Sequence, residues 1–320
     1  MTCRDISFAF FIAALLCATQ GCVADTVERP YNPPVGSKWI VESETRSADT
    51  RPDGPRSSVT KIHSELTVDA RTPDGFRITY VNRGASIEGN DPTAPMLRSA
   101  MKALENVPIH ATTDLAGKPV RVDNLDEAKA ALRNMVDSLT APFADKPQVV
   151  AVLKQMVNGL IEVDADQAAG AYVEEMPRLA KAQNTGMKQG DIRRSSRVVD
   201  NPLGGAGTLK SSEAFELTEA DSATGRRVYV STTSYDMASM KDFMQSVSKK
   251  LTAAAGSSVK PEQIDSLVKS MVLTLDERAV LEVEDGMTRK MTDKSVTTAR
   301  ALGHNLQKTE IRTITLTRAP

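Results

Sequence analysis

Residues 60–82, "TKIHSELTVDARTPDGFRITYVN", decide how this chain folds. In the first half Ile62, Leu66, Val68 and Ala70 fall on one side of an extended strand, and Lys61, His63, Glu65, Thr67 and Asp69 fall on the other. "TPDG" at 72–75 is a turn signal, and "FRITYVN" at 76–82 reads as the returning strand. The stretch predicts an antiparallel hairpin with one buried and one wet face.

Similar signals recur outward from this hairpin. "VPIHATTDLAGKPVRVDN" predicts two short strands around a turn at Leu115 to Lys118. Strand patterning returns at about 189–199, 208–219 and 226–235, and again from 273 to the end, where Asp285-Gly286 marks a tight hairpin turn. Between these groups lie helical segments. A short one is expected at about 93–105, and another opens with Asn124 and Glu127 in capping-box spacing. A third starts at Asp145, and a fourth at Asp164 is expected to kink or end at Pro177. Two more start at Asp236 and near Pro261. Strands and helices in grouped succession predict an α+β class, with curved antiparallel sheet packed against apolar helices. Residues 37–320 read as one such domain, divisible into two loosely similar halves at 37–188 and 189–320.

The chain has 320 residues and a net charge of −1, which gives no electrostatic reason for it to bind nucleic acid or an anionic surface. Residues 1–24, "MTCRDISFAFFIAALLCATQGCVA", read as an export signal: Arg4 precedes an apolar run that ends at a small-residue site. That run is too short to cross a bilayer, which takes about 20 apolar residues. Cleavage after Ala24 would release a periplasmic or otherwise exported protein, and lipidation at Cys22 would anchor it to a membrane. Cys3, Cys17 and Cys22 all lie in this segment, so cleavage after Ala24 leaves a chain without disulfide or thiol chemistry. Residues 25–36 read as a Pro-rich leader, and the mature chain is expected to carry no transmembrane span.

No stretch carries a complete catalytic or cofactor motif. "NPLGGAGTL" at 201–209 has the glycines of a phosphate cradle, but the alternating "KSSEAFEL" follows it where a cradle needs a helix, so it reads as a link between strands. Ser-x-x-Lys occurs at Ser58/Lys61, Ser99/Lys102, Ser246/Lys249, Ser257/Lys260 and Ser266/Lys269, without the partner motifs of the penicillin-binding enzymes. Asp164, Asp166 and Glu175 match a calcium loop except that Ala168 and Ala169 stand where an oxygen ligand and a glycine are needed. His63, His110 and His304 are isolated, so no catalytic, metal or cofactor residue is assigned.

The remaining unusual feature is methionine on apolar helix faces, where its flexible thioether adapts to varied partners. Met156, Met240, Phe243, Met244 and Val247 are the candidate contacts for an apolar ligand. The chain reads as a non-enzymatic envelope protein that binds an apolar ligand or protein segment in a sheet-and-helix cavity. A structural or assembly role in the envelope is the alternative, and a hydrolase is the third reading.

The phrases "TTDLAGKPVRVDN" (112–124) and "VEDGMTRKMTDKSVTT" (283–298) resemble those of exported bacterial proteins in families of unknown function, which implies an envelope address. In architecture, a curved antiparallel sheet with helices inside looks like the half-barrel periplasmic lipoprotein carriers. That likeness transfers no site residue.

Overall fold

The computed structural model describes residues 28–50, 54–90, 94–145, 161–200, 208–254, 272–301 and 304–320, with isolated positions between 146 and 160. Strands β1 (Lys38–Thr50), β2 (Arg56–Thr72) and β3 (Gly75–Gly89) lead to helix α1 (Ala94–Ala103), then to β4 (Pro108–Asp114) and β5 (Pro119–Val122). Helices α2 (Leu125–Thr140), α3 (Ala165–Tyr172) and α4 (Glu175–Ala180) come next. The second half runs β6 (Ile192–Asp200), β7 (Thr208–Ala220), β8 (Arg227–Tyr235), α5 (Met237–Ala254), β9 (Val272–Glu284), β10 (Met287–Ala301) and β11 (His304–Arg318).

The eleven strands among the described residues join one antiparallel sheet in the order β5-β4-β3-β2-β1-β11-β10-β9-β8-β7-β6. The α+β expectation is therefore corrected. Among the described residues about 53% are in strands and 24% in helices, the sheet is not closed, and the helices are few and short. Local patterning located the strands but not their length. β2, β3, β10 and β11 run for 15 to 17 residues, far beyond the usual 5–6. Their outer halves hold only scattered apolar residues, such as Val59, Ile87, Val296 and Leu306, too few for the alternation to mark where each strand ends.

The 60–82 hairpin forms as its alternation demands, with Val68 opposite Ile78 and Leu66 opposite Tyr80. Asp69 is an extra residue at a bulge, so Ala70 pairs with Arg77. Asp285 and Gly286 both take positive φ, at 50° and 77°, as a two-residue turn between β9 and β10 requires. Strands β6 and β7 pair from Ile192↔Glu216 to Asp200↔Thr208. The glycines of "NPLGGAGTL", at 204, 205 and 207, lie outside the described residues.

One face of the sheet is covered and the other is open to water. Trp39, Val41, Leu66, Val68, Phe76, Ile78, Leu217, Tyr229, Leu281, Ile314 and Leu316 belong to one buried cluster on the covered face. Burial of each large side chain of this kind stabilises the fold by about 1.5–3 kcal/mol.

The covered face is wrapped around itself. Asn184 Nδ2 donates to the Leu115 carbonyl in the β4–β5 turn, while the Oγ1 of Thr185, the next residue, lies 2.9 Å from the Tyr229 hydroxyl on β8. Seven strand steps separate β4 from β8 in the sheet order, about 34 Å if the sheet were flat. Two adjacent residues reach across only roughly 20 Å with their side chains. The sheet must therefore be rolled, bringing its two halves together at this end.

Residues 28–31 seal the same end. The Glu28 carboxylate accepts from the Thr185 and Gly186 amides and lies 4.0 Å from Arg227. Arg29 pairs with Asp285. The Tyr31 ring meets Phe76 edge-on at 5.3 Å and fills the space beside Gly117, where a Cβ would come within 2.6 Å of it. The molecule is a cup with one locked end.

Candidate functional site

The helices fill one side of the cup. Helix α2 places Ala128, Ala131, Leu132 and Met135 on one stripe, at the i, i+3, i+4, i+7 spacing of an amphipathic helix. Asn124 does not cap this helix as its spacing with Glu127 predicts. Its Oδ1 instead accepts from the His110 amide, and its Nδ2 donates to the Pro108 carbonyl and to Glu127, tying the helix start to β4. Asp164 does cap α3, accepting from the Gln167 amide at 2.8 Å. Helix α3 ends at Val173, upstream of Pro177. Pro177 instead sits in the first turn of α4, where its missing N–H costs no helix hydrogen bond.

Between the α2 stripe, α3 and the covered face of β2–β4 lies a cavity of about 270 Å³. Ile62, Leu104, Val107, Ile109, Leu132 and Met135 give it an apolar lining, and Tyr172 stands at its rim. Its polar wall is made by Ser64, Tyr80, Asn82, Glu174 and Glu175. The Tyr80 hydroxyl donates to Glu175 Oε2 at 2.9 Å. Burial, then the charge of Glu175, pushes the Tyr80 pKa well above the ordinary phenol range, so it stays a donor. Beside it the buried Ser64 Oγ makes no hydrogen bond of good geometry.

A charged belt continues from that wall around the inside of the cup. Glu174 accepts from Arg178 at 3.0 Å and from Arg312, and Arg178 lies 3.8 Å from Asp293. Burial pushes the Glu174 pKa up, but the two guanidiniums outweigh it and hold the group below the usual carboxylate range. Burial dominates at Asp293 and raises its pKa. Farther round, Lys181 and Ser231 both donate to Glu213. Here too burial acts upward, and the hydrogen bonds and charge of Lys181 win, leaving Glu213 low.

A larger hollow of about 700 Å³ lies along β1–β3 and β11, lined mainly by Glu42, Glu44, Lys61, His63, Thr313 and Thr315 on the open face. The apolar cavity is the better binding site because helices enclose it and hydrophobic side chains line most of it.

Among the described residues the titratable groups do not assemble into a nucleophile and its base. His63 Nδ1 lies 3.8 Å from Glu42 on the open face. His110 does meet a hydroxyl and an acid: its Nδ1 is 2.9 Å from Thr79 Oγ1, which donates to Asp69 Oδ2 at 2.7 Å. A catalytic triad needs the imidazole between acid and hydroxyl. Here the hydroxyl is in the middle and its single proton already goes to Asp69, so His110 must donate to it. The cluster is exposed on a strand face, not in a cleft. His304 starts β11, and its side chain is outside the described residues. Ser58 and Lys61 sit three apart on a strand, so they point to opposite faces. Among the described residues no group of His, Cys, Asp and Glu could hold a metal ion.

Of the apolar contacts singled out from the sequence, Met240, Phe243 and Met244 do not line this cavity. Met240 is buried, and Phe243 and Met244 are half-buried on α5, which packs against β7 and β9 in the other half of the sheet. Met156 and the side chain of Val247 lie outside the described residues, as does Cys22. Tyr80 and Glu175, which make the polar wall, were missed. The signal for Tyr80 was present: it falls on the buried side of "FRITYVN", and a buried tyrosine hydroxyl needs a partner.

No family model matches the chain, and no curated protein matches it. Among solved structures, a lipovitellin solved for its lipid–protein interactions is similar at a TM-score of 0.42 and 8% identity. The match covers 90% of this chain but only 26% of that one, so this chain spans about a quarter of its length. Pseudomonas putida OprB is similar at a TM-score of 0.27 and 7% identity, covering 88% of this chain and 94% of that one. The COG4313 outer membrane channel of Pseudomonas putida F1 reaches a TM-score of 0.18 at 7% identity, covering 89% and 97%. No helix among the described residues is long and apolar enough to cross a membrane.

Proposed function

We propose that this is an exported, non-enzymatic binding protein of the cell envelope that holds a small apolar molecule inside its cup. The observation that carries the reading is the 270 Å³ cavity between α2, α3 and β2–β4, apolar on most sides and fitted with a few convergent polar groups. Export rests on the reading of residues 1–24.

Native mass spectrometry of the protein taken from its own envelope tests the proposal. A mass excess that disappears on denaturation, and that Ala131→Phe abolishes without lowering the melting temperature by more than a few degrees, is the expected result. A bare polypeptide mass, with no displacement of a fluorescent apolar probe by added amphiphiles, would overturn it.

A role in assembly is favoured by one separate observation. Strand β6 is an edge of the sheet, and every side chain from 191 to 198 is exposed, including Ile192 and Val198. An edge of this length that no described strand pairs with is a template for strand addition. A stable partner on pull-down, lost when Val198→Pro breaks the edge, would support that reading instead.

A further inference from the structure

Resting on the cavity reading above, we propose that the site selects amphiphiles with a protonated amine head over those with a carboxylate head. The polar wall is unequal in charge. Glu174, Asp293 and Glu310 are matched by Arg178, Arg312 and Lys308, which pair with them, whereas Glu175 stands outside these pairs. Glu175 has no cation within ion-pair distance among the described residues. Its contact is the neutral Tyr80 hydroxyl.

The buried Ser64 hydroxyl, 1% exposed and facing the same cavity, offers lone pairs to a donor. Asn82 also lines the wall, with its Oδ1 already accepting from the Gly84 amide. Its remaining amide donor is neutral and does not offset a carboxylate. An ammonium entering here would pair with Glu175 and donate to Ser64. A carboxylate would lose its hydration and face a like charge. The cavity volume lies below the roughly 300–1,000 Å³ of drug-sized sites, so a short single chain fits and a two-chain lipid does not.

Calorimetric titration of the full mature protein at pH 7 with octylamine, 1-octanol and octanoate, below their aggregation concentrations, tests this. Octylamine is expected to bind at least tenfold more tightly than octanoate, with octanol between them, and added salt should narrow the gap. Glu175→Gln should bring amine and carboxylate within about threefold of each other. Octanol binding without any preference between the heads would overturn the inference and leave the cavity reading standing. An amine preference that survives in Glu175→Gln would overturn it too. Failure of all three compounds to bind would remove both. The head-group comparison in the unmodified protein decides the matter even if the variant does not fold.

Discussion

Lys181 reaches from the end of α4 to Glu213 on β7, joining the segment that crosses the cup to the wall behind it. Glu213 and Glu174 are both held below their ordinary pKa, because their cations outweigh the cost of burial. The native state therefore binds their protons less tightly than the unfolded chain does. Their contribution is present above the unfolded value of about 4.3 and is lost as pH falls through the lower native values. Asp293, raised by burial, works in the opposite sense and offsets part of this loss. Thermal melts should show a flat melting temperature from pH 7 to 5 and a fall below about pH 4. Lys181→Met should lower the melting temperature at pH 7 and make the acid fall shallower. An unchanged pH profile in that variant would mean that the pair does not form.

At the scale of elements, α3 matters because it roofs the cavity and is only eight residues long, too short to be stable alone. Its Asp164 cap therefore has weight: Asp164→Ala should cost about 1 kcal/mol of helix stability and weaken apolar-probe binding. Hydrogen exchange across 165–172 would show the loosening directly. The elements were legible where a local rule governs them. Alternation placed the hairpin at 60–82, Asp285-Gly286 placed the β9–β10 turn, and Asp164 was recognisable as a helix start. Rules failed where distant contacts decide. Glu127 in capping-box spacing suggested an ordinary cap, yet Asn124 is occupied by the β4 backbone. Pro177 looked like a helix breaker, and the break lies at Val173 because α3 and α4 pack on strands from opposite halves of the sheet. The α2 stripe was visible in the sequence, but its partners across the cavity were not, since Tyr80 and Glu175 lie 95 residues apart.

The shape of the whole molecule was the least legible property. Pairing of the first strand with the last, from Trp39↔Arg318 to Thr50↔Gln307, makes one sheet of what local patterning divides into groups. No local period reports that pairing. Rolling then follows from the segments 28–31 and 183–187, which touch both halves at once, and the cavity exists only because the helices sit inside the roll. The most direct test is a spin-label distance between Leu115→Cys in the β4–β5 turn and Ala223→Cys in the β7–β8 turn, in protein without Cys3, Cys17 and Cys22. About eight strand steps lie between these turns. A rolled sheet predicts a narrow distribution centred below about 30 Å, and one centred near or above 40 Å, as a flat sheet would give, would contradict it.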